Sequence, residues 1–188
     1  MNRRGFTIVE LVIVIAIMGI LLVLAVVNLR GTQVNARDEK RRDDVAAIAA
    51  HMDVYYQSGS DSSSNVGEYP TTAIVGQETT LLRDIDPKSL LSPSSTVDPN
   101  TLVAPSTGVS SLVAATNAIQ TTSGVTPQPS SSNDVYVYQP LKTTDGGATW
   151  TLCTAPTDEC RKFNIYYWDE TDSTSSSNVV KVFQSKNQ

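Results

Sequence analysis

From Phe6 to Leu29 the chain runs apolar with Glu10 as its only charged side chain, directly after the short basic stretch Met1-Asn2-Arg3-Arg4-Gly5. About 20 consecutive apolar residues are enough to cross a bilayer as a helix, so this segment has to be covered by lipid or by other protein. A carboxylate inside such a run costs about 2.5–3.5 kcal/mol at the centre of a span, and its presence is a functional signal by default. Glu10 lies near one end of the run, where the cost is smaller and the side chain can snorkel to the headgroups. Arg3 and Arg4 immediately precede the span, and basic flanks of this kind stay on the cytoplasmic side. Arg30, Arg37, Lys40, Arg41 and Arg42 follow it, but a long domain is translocated largely regardless of such charges.

The leader ending in Gly5, then Phe6, then Glu10, then an unbroken Leu/Ile/Val run resembles the N-terminus of type IV prepilins and pilin-like proteins over roughly the first 30 residues. The resemblance implies that a prepilin peptidase cuts between Gly5 and Phe6 and methylates the new amine of Phe6, while the apolar segment stays with the mature chain. It also implies that the Glu10 carboxylate pairs with the Phe6 amine of a neighbouring subunit, which fixes the axial stagger of a filament. Either charge left alone in a packed filament core would carry a large desolvation penalty. Many members of the family place a helix-bending proline in the second half of the run; this chain has Val26, Val27 and Asn28 there.

Beyond the span the helix is expected to continue, with Gly31 as a soft point, since no proline occurs before Pro70. Arg37-Asp38-Glu39-Lys40-Arg41-Arg42-Asp43-Asp44 is a dense mixed-charge block whose helical pairs include Asp38 with Arg42 and Lys40 with Asp44. It reads either as a solvated surface or as an electrostatic belt between subunits. Val45, Ile48, Ala49, Met52 and Tyr55 or Tyr56 then recur at three- and four-residue spacing, the stripe of a helix lying on a core. With Ser58-Gly59 as its stop, the helix covers residues 6–57, roughly 75 Å at 1.5 Å per residue.

After Tyr69-Pro70, a pair also common in pilin-like chains, residues up to 132 are rich in Ser, Thr and Pro. Asp86-Pro87 opens one candidate short helix, and Ser110–Ile119 is another. Strand signals occupy the last third: Val135–Tyr138, Thr149–Leu152 after the turn Asp145-Gly146-Gly147, Phe163–Trp168 and Val179–Phe183. The expected architecture is α+β, a long N-terminal helix laid across an antiparallel sheet of about four strands in a meander. In these terms the chain divides into a leader (1–5), the helix (6–57, membrane-spanning over 6–29), a variable connecting region (58–134) and the sheet with a cysteine loop (135–188).

Cys153 and Cys160 are the two cysteines of the chain. In a reducing compartment they would be free thiols; outside the membrane a close pair favours a disulfide. Their spacing does not match common zinc patterns. His51, the lone histidine, reads as a packing or surface residue, and Asp84 with Asp86, and Asp169-Glu170 with Asp172, read as solvated turn acids. Nucleophile-elbow, P-loop, Rossmann and zincin motifs are absent from the sequence, so neither an enzyme nor a cofactor is expected. Net charge is −5, and after Gln57 there are 7 Lys and Arg against 13 Asp and Glu, which leaves no long-range attraction for nucleic acid.

The leading expectation is therefore a structural subunit of a type IV pilus or similar filament. By resemblance its partners are identical or related subunits, the prepilin peptidase, and an assembly platform with its ATPases. It would be inserted in the cytoplasmic membrane with its N-terminus inside, then displayed on the cell surface for adhesion, motility or DNA uptake. Two alternatives stand beside it: a pseudopilin of a type II secretion system, and a surface binding module anchored by a pilin-like helix. The long Ser/Thr-rich region and the cysteine loop weigh toward an exposed pilus surface.

Overall fold

The structure, a computed structural model, describes residues 7–59, 65–97, 110–172 and 179–186, for 27–30 the backbone alone. The chain divides into two compact units, Met1–Ala36 and Arg37–Gln188. Helix α1 runs over Ile8–Ser58 without a break at Gly31. It stops at Gly59, whose φ of 70° is the left-handed conformation that glycine adopts freely, and the Gly59 N–H caps Tyr55 O at 2.7 Å.

In the second unit, Val45, Ile48, Ala49, Met52 and Tyr55 are buried on one side of α1, as the sequence spacing predicts, while Tyr56 is only half-buried. Burying a large apolar side chain contributes about 1.5–3 kcal/mol, so this stripe is what holds the helix to the head. It packs with Tyr136, Tyr138, Phe163 and Ile165 from the sheet and with Ile74, Leu82, Leu90 and Leu91 from the connecting segment. In that segment α2 (Glu78–Leu81) is a single turn. A 3-10 turn over Pro87–Leu90 starts where Asp86-Pro87 suggests, with Asp86 Oδ1 accepting from Lys88 N at 2.9 Å.

Among the described residues the sheet has five strands: β1 (Leu112–Ala114), β2 (Tyr136–Lys142), β3 (Thr151–Leu152), β4 (Lys162–Asp169) and β5 (Val179–Gln184). The α+β architecture is the expected one, but the sheet is mixed rather than wholly antiparallel. β1 pairs parallel with β2, Leu112 opposite Tyr136, within the stretch where the sequence suggests a short helix over Ser110–Ile119. The order is β1-β2-β4-β5, and β3 also pairs with β2. Leu141 faces Lys162 of β4 and Leu152 of β3 at once, so β3 shares with β1 the edge of β2 opposite β4. The chain crosses from that edge to the other between β3 and β4, so the strands do not form a simple meander.

Both faces of the sheet are covered. Tyr136 and Tyr138 point into the core beneath α1, while Val137 between them packs with Ala115, Val125, Tyr166 and Val180 on the far face. On that far face Gln139 Nε2 donates to Asn117 O at 2.9 Å and to Ile119 O at 2.7 Å, and its Oε1 accepts from Asn164 Nδ2 at 2.9 Å. Such bonds are what allow Gln139 and Asn164 to be buried, since a buried polar group without a partner is costly.

Candidate assembly site

The first described turn of α1 carries a reciprocal capping box. Thr7 N donates to Glu10 Oε2 at 3.1 Å, Glu10 N donates to Thr7 Oγ1 at 3.3 Å, and the Thr7 hydroxyl donates to the same Oε2 at 3.0 Å. Two of the otherwise orphaned N–H groups at the helix start are satisfied in this way. All three contacts leave Oε1 of Glu10 outside the box. The pattern Thr-x-x-Glu before an apolar run is a sequence signal for this cap, and it supplies a second, local reason for a carboxylate at position 10. Arg3, Arg4, Gly5 and Phe6 lie outside the described residues.

From Thr7 to Val26 every residue is exposed. Ile8, Leu11, Ile15, Met18, Leu21 and Leu22 each leave more than half of their surface open. A continuous apolar surface of this extent marks a membrane or protein interface. Among the described residues α1 is the one helix long and apolar enough to cross a membrane, with a mean hydropathy of 3.1 over its most apolar 18-residue window.

In the second unit the mixed-charge block is split: Glu39, Arg42 and Asp43 are exposed, while Arg37, Asp38, Lys40, Arg41 and Asp44 turn toward the rest of the unit. Arg41 is buried, 1 % exposed. Its guanidinium donates to both carboxylate oxygens of Asp134, each at 2.9 Å, and to Asp38 Oδ1 at 2.8 Å, with Glu170 Oε2 3.6 Å away. The indole of Trp168 lies against it, 4.8 Å from ring centroid to Cζ. Asp38 thus pairs with Arg41 rather than Arg42, and it also accepts from the backbone N–H groups of Glu170 and Thr171 at 2.9 and 2.8 Å. Arg37 pairs with Glu170, which takes that acid out of the cluster read as solvated. Burial pushes the Asp38 carboxyl up, but the bonds from Thr171 and Glu170 and the charge of Arg41 outweigh it and hold the group below its usual range. Lys40 pairs with Asp44, as the spacing suggests, and donates to Leu91 O at 2.9 Å. Burial keeps Asp44 above its usual range even though Lys40 and Tyr136 donate to it.

Position 41 lies four residues before Val45, on the same stripe as Val45, Ile48 and Met52. That spacing puts position 41 on the inward side of the helix, but only the acids brought to it by the fold allow a guanidinium to be buried there. The network joins α1 to the segment before β2 and to the turn after β4, three places far apart in the chain.

Cys153 and Cys160 form a disulfide and are both fully buried. The loop between them is mostly exposed, and Asp158 folds back to accept from Thr154 N and Ala155 N at 2.8 and 2.9 Å. Lys142 pairs with the same carboxylate; that bond and those from the backbone hold Asp158 below its usual range. The Tyr69-Pro70 segment ties this loop to the helix. Tyr69 N donates to Cys160 O at 2.9 Å, Tyr69 OH donates to Asp53 Oδ1 at 3.0 Å, and Tyr138 OH donates to Pro70 O at 2.6 Å. His51 is half-buried on α1, and no group of three metal-ligating side chains occurs among the described residues.

Residues 1–26 match the family model described as a prokaryotic N-terminal methylation motif. Among curated proteins, the type II secretion system core protein G of Dickeya chrysanthemi is 36% identical over 84 residues, covering 42% of this chain and 50% of that protein. The protein of the same name from Klebsiella michiganensis is 39% identical over 71 residues, 38% of this chain and 45% of that protein. The one from Escherichia coli is 39% identical over 54 residues, 29% of this chain and 37% of that protein. The chain therefore spans half or less of the length of these relatives. No solved structure matches it.

Proposed function

We propose, from the premise that the chain is a type IV pilin-like structural protein and not an enzyme, that it is a pseudopilin subunit of a type II secretion system. The observation that carries this reading is the likeness to core protein G in several bacteria. It reverses the order of preference taken from the Ser/Thr-rich surface, which weighs toward a displayed pilus. That surface is a feature of composition alone, whereas the relatives share sequence with the chain.

In this reading residues 1–5 are a leader removed between Gly5 and Phe6 by the prepilin peptidase, and Phe6 is N-methylated. Residues 6–29 hold the precursor in the cytoplasmic membrane, with Arg3 and Arg4 inside and the unit from Arg37 onward outside. Residues 58–134 follow the helix and contribute β1 to the sheet, whose other strands lie in 135–188 with the cysteine loop. Related subunits then stack their apolar helices into a filament, extracted from the membrane by an assembly platform and its ATPases. The capping box supports this role for Glu10, because it holds one carboxylate oxygen at the helix start while the other remains available to a neighbouring amine.

The deciding experiment removes the protein from its native host and follows both possible outputs. Loss of exoprotein secretion into the medium, with surface pili and motility retained, is the expected result. Intact secretion with loss of surface pili would return the type IV pilus reading. Mass spectrometry of the mature N-terminal peptide should find it starting at methylated Phe6; an intact Met1–Gly5 leader would remove both filament readings.

A further inference from the structure

Several basic side chains of the second unit are engaged by acids: Lys40 by Asp44, Arg41 by Asp134, Lys142 by Asp158 and Lys181 by Asp172. A different arrangement surrounds Trp150. Its indole lines a cavity of about 640 Å³ together with Tyr56, Gly146, Gly147, Arg161 and Lys186. The ammonium of Lys162 sits over the same ring, 3.6 Å from its centroid. Three cations thus gather around one half-buried indole in a chain whose net charge is −5.

The turn beside the indole is both open and held. Gly146 and Gly147 have φ of 71° and 102°; a Cβ on Gly146 would meet nothing within 4 Å, and one on Gly147 would lie 3.7 Å from Trp150 Cζ2. The backbone therefore passes the ring without side chains that would cover it. Gly147 N donates to Thr143 Oγ1 at 2.9 Å and Thr149 N to Asp145 Oδ1 at 2.8 Å, so the open turn is braced before anything binds. Arg161 donates to Glu159 at 2.6 Å and to Gly67 O at 3.4 Å. The ion pair with Glu159 is exposed on both sides, 47% and 66%, and exposed pairs are weak enough to be exchanged for a bound anion.

We propose that this cavity binds a carboxylate-bearing sugar, with the pyranose ring against the face of Trp150 that Lys162 does not cover and its carboxylate on Arg161 and Lys186. An indole offers a flat apolar face for the C–H surface of a sugar ring, and a guanidinium fork matches a carboxylate. The volume is that of a small-molecule site. A nucleic-acid strand would need several phosphate contacts along a track, and the acidic remainder of the head opposes a long polyanion. The site is independent of the secretion reading, since it rests on the head alone.

The test uses the full chain in detergent micelles, following the two indole N–H resonances by NMR during titration with cellobiouronic acid. Cellobiose, acetate and a ten-residue oligothymidylate serve as comparison probes. The Trp150 resonance should shift saturably while that of buried Trp168 stays in place. Cellobiouronic acid should bind at least tenfold tighter than cellobiose or acetate. Lys186→Glu, at an exposed position, should weaken it at least tenfold with both indole resonances otherwise unchanged. Equal binding of cellobiose would overturn the role of the cations, and equal binding of acetate the role of the ring. An oligothymidylate that binds more tightly than the sugar would replace the proposal with nucleic-acid binding, and an unmoved Trp150 resonance would end it.

Discussion

Arg41 on the helix and Asp134 just before β2 are 93 positions apart in sequence and meet through two hydrogen bonds of 2.9 Å, with Arg41 1 % exposed. A guanidinium so deeply placed is held by geometry, because it has surrendered its hydration and must recover it from Asp134, Asp38 and Glu170. Arg41→Met should therefore destabilise the head by about 3–5 kcal/mol, since the Asp134 carboxylate, 4% exposed, would be left without its cation. The double variant Arg41→Met/Asp134→Leu should lose less than the sum of the single changes. Chemical denaturation followed by near-UV circular dichroism measures both. A single variant within about 0.5 kcal/mol of the parent, the range of ordinary surface substitutions, would show that the network carries no stability.

Acid should weaken the same junction through Asp38. Its folded-state carboxyl is held below the ordinary value of 3.8. The stability it contributes is thus present above about pH 4 and is lost as the pH falls through the depressed folded value. Asp44 works in the opposite direction, because burial raises its carboxyl and protonation then favours the folded state. The total pH curve mixes these effects, so the informative quantity is the difference between the parent and Asp38→Asn. That difference should be large at pH 7 and shrink toward pH 2.5; a gap that stays constant would exclude a charged role for Asp38.

Replacing both Cys153 and Cys160 by serine opens a short loop and removes a constraint on the unfolded chain. The expected loss is about 2–3 kcal/mol in the chain-entropy model. Because Tyr69 N and Thr72 N donate to Cys160 O and Cys153 O, amide exchange at both positions should accelerate together. Acceleration confined to Thr154–Glu159 would mean that the corner is held by the backbone bonds alone.

At the N-terminus, Glu10→Ala should still be cleaved after Gly5 but should enter filaments poorly. Cross-linking of subunits in membranes and in sheared material would measure the effect. Thr7→Val removes the hydroxyl arm of the capping box and should weaken the helix start by about 1 kcal/mol. That change would raise amide exchange at Ile8 to Glu10 roughly fivefold. Normal assembly of the Glu10 variant would leave the carboxylate with its capping role only.

Legibility differed by element for physical reasons. The helical stripe Val45, Ile48, Ala49, Met52 was readable because a helix on one core repeats every 3.6 residues. The four longer or turn-bounded strand segments were readable from β-branched and aromatic runs. Leu112–Ala114 was not, since three residues carry too little pattern and the strand exists only because β2 offers it an edge. Burial on both faces of β2, Tyr136 to Leu141, likewise hides the alternation that would have announced a second covering layer.

By itself the sequence determined the apolar helix, its carboxylate at position 10, its stop at Gly59 and the inward stripe of its second half. These depend on local order, where residue spacing and side-chain chemistry act directly. Only the tertiary structure decided that Arg41 is a core residue, that the sheet is mixed, and that Trp150, Arg161 and Lys186 share a cavity. Each of these depends on segments far apart in the chain coming together, and the free energy of a buried charge or an added strand is set by its partners.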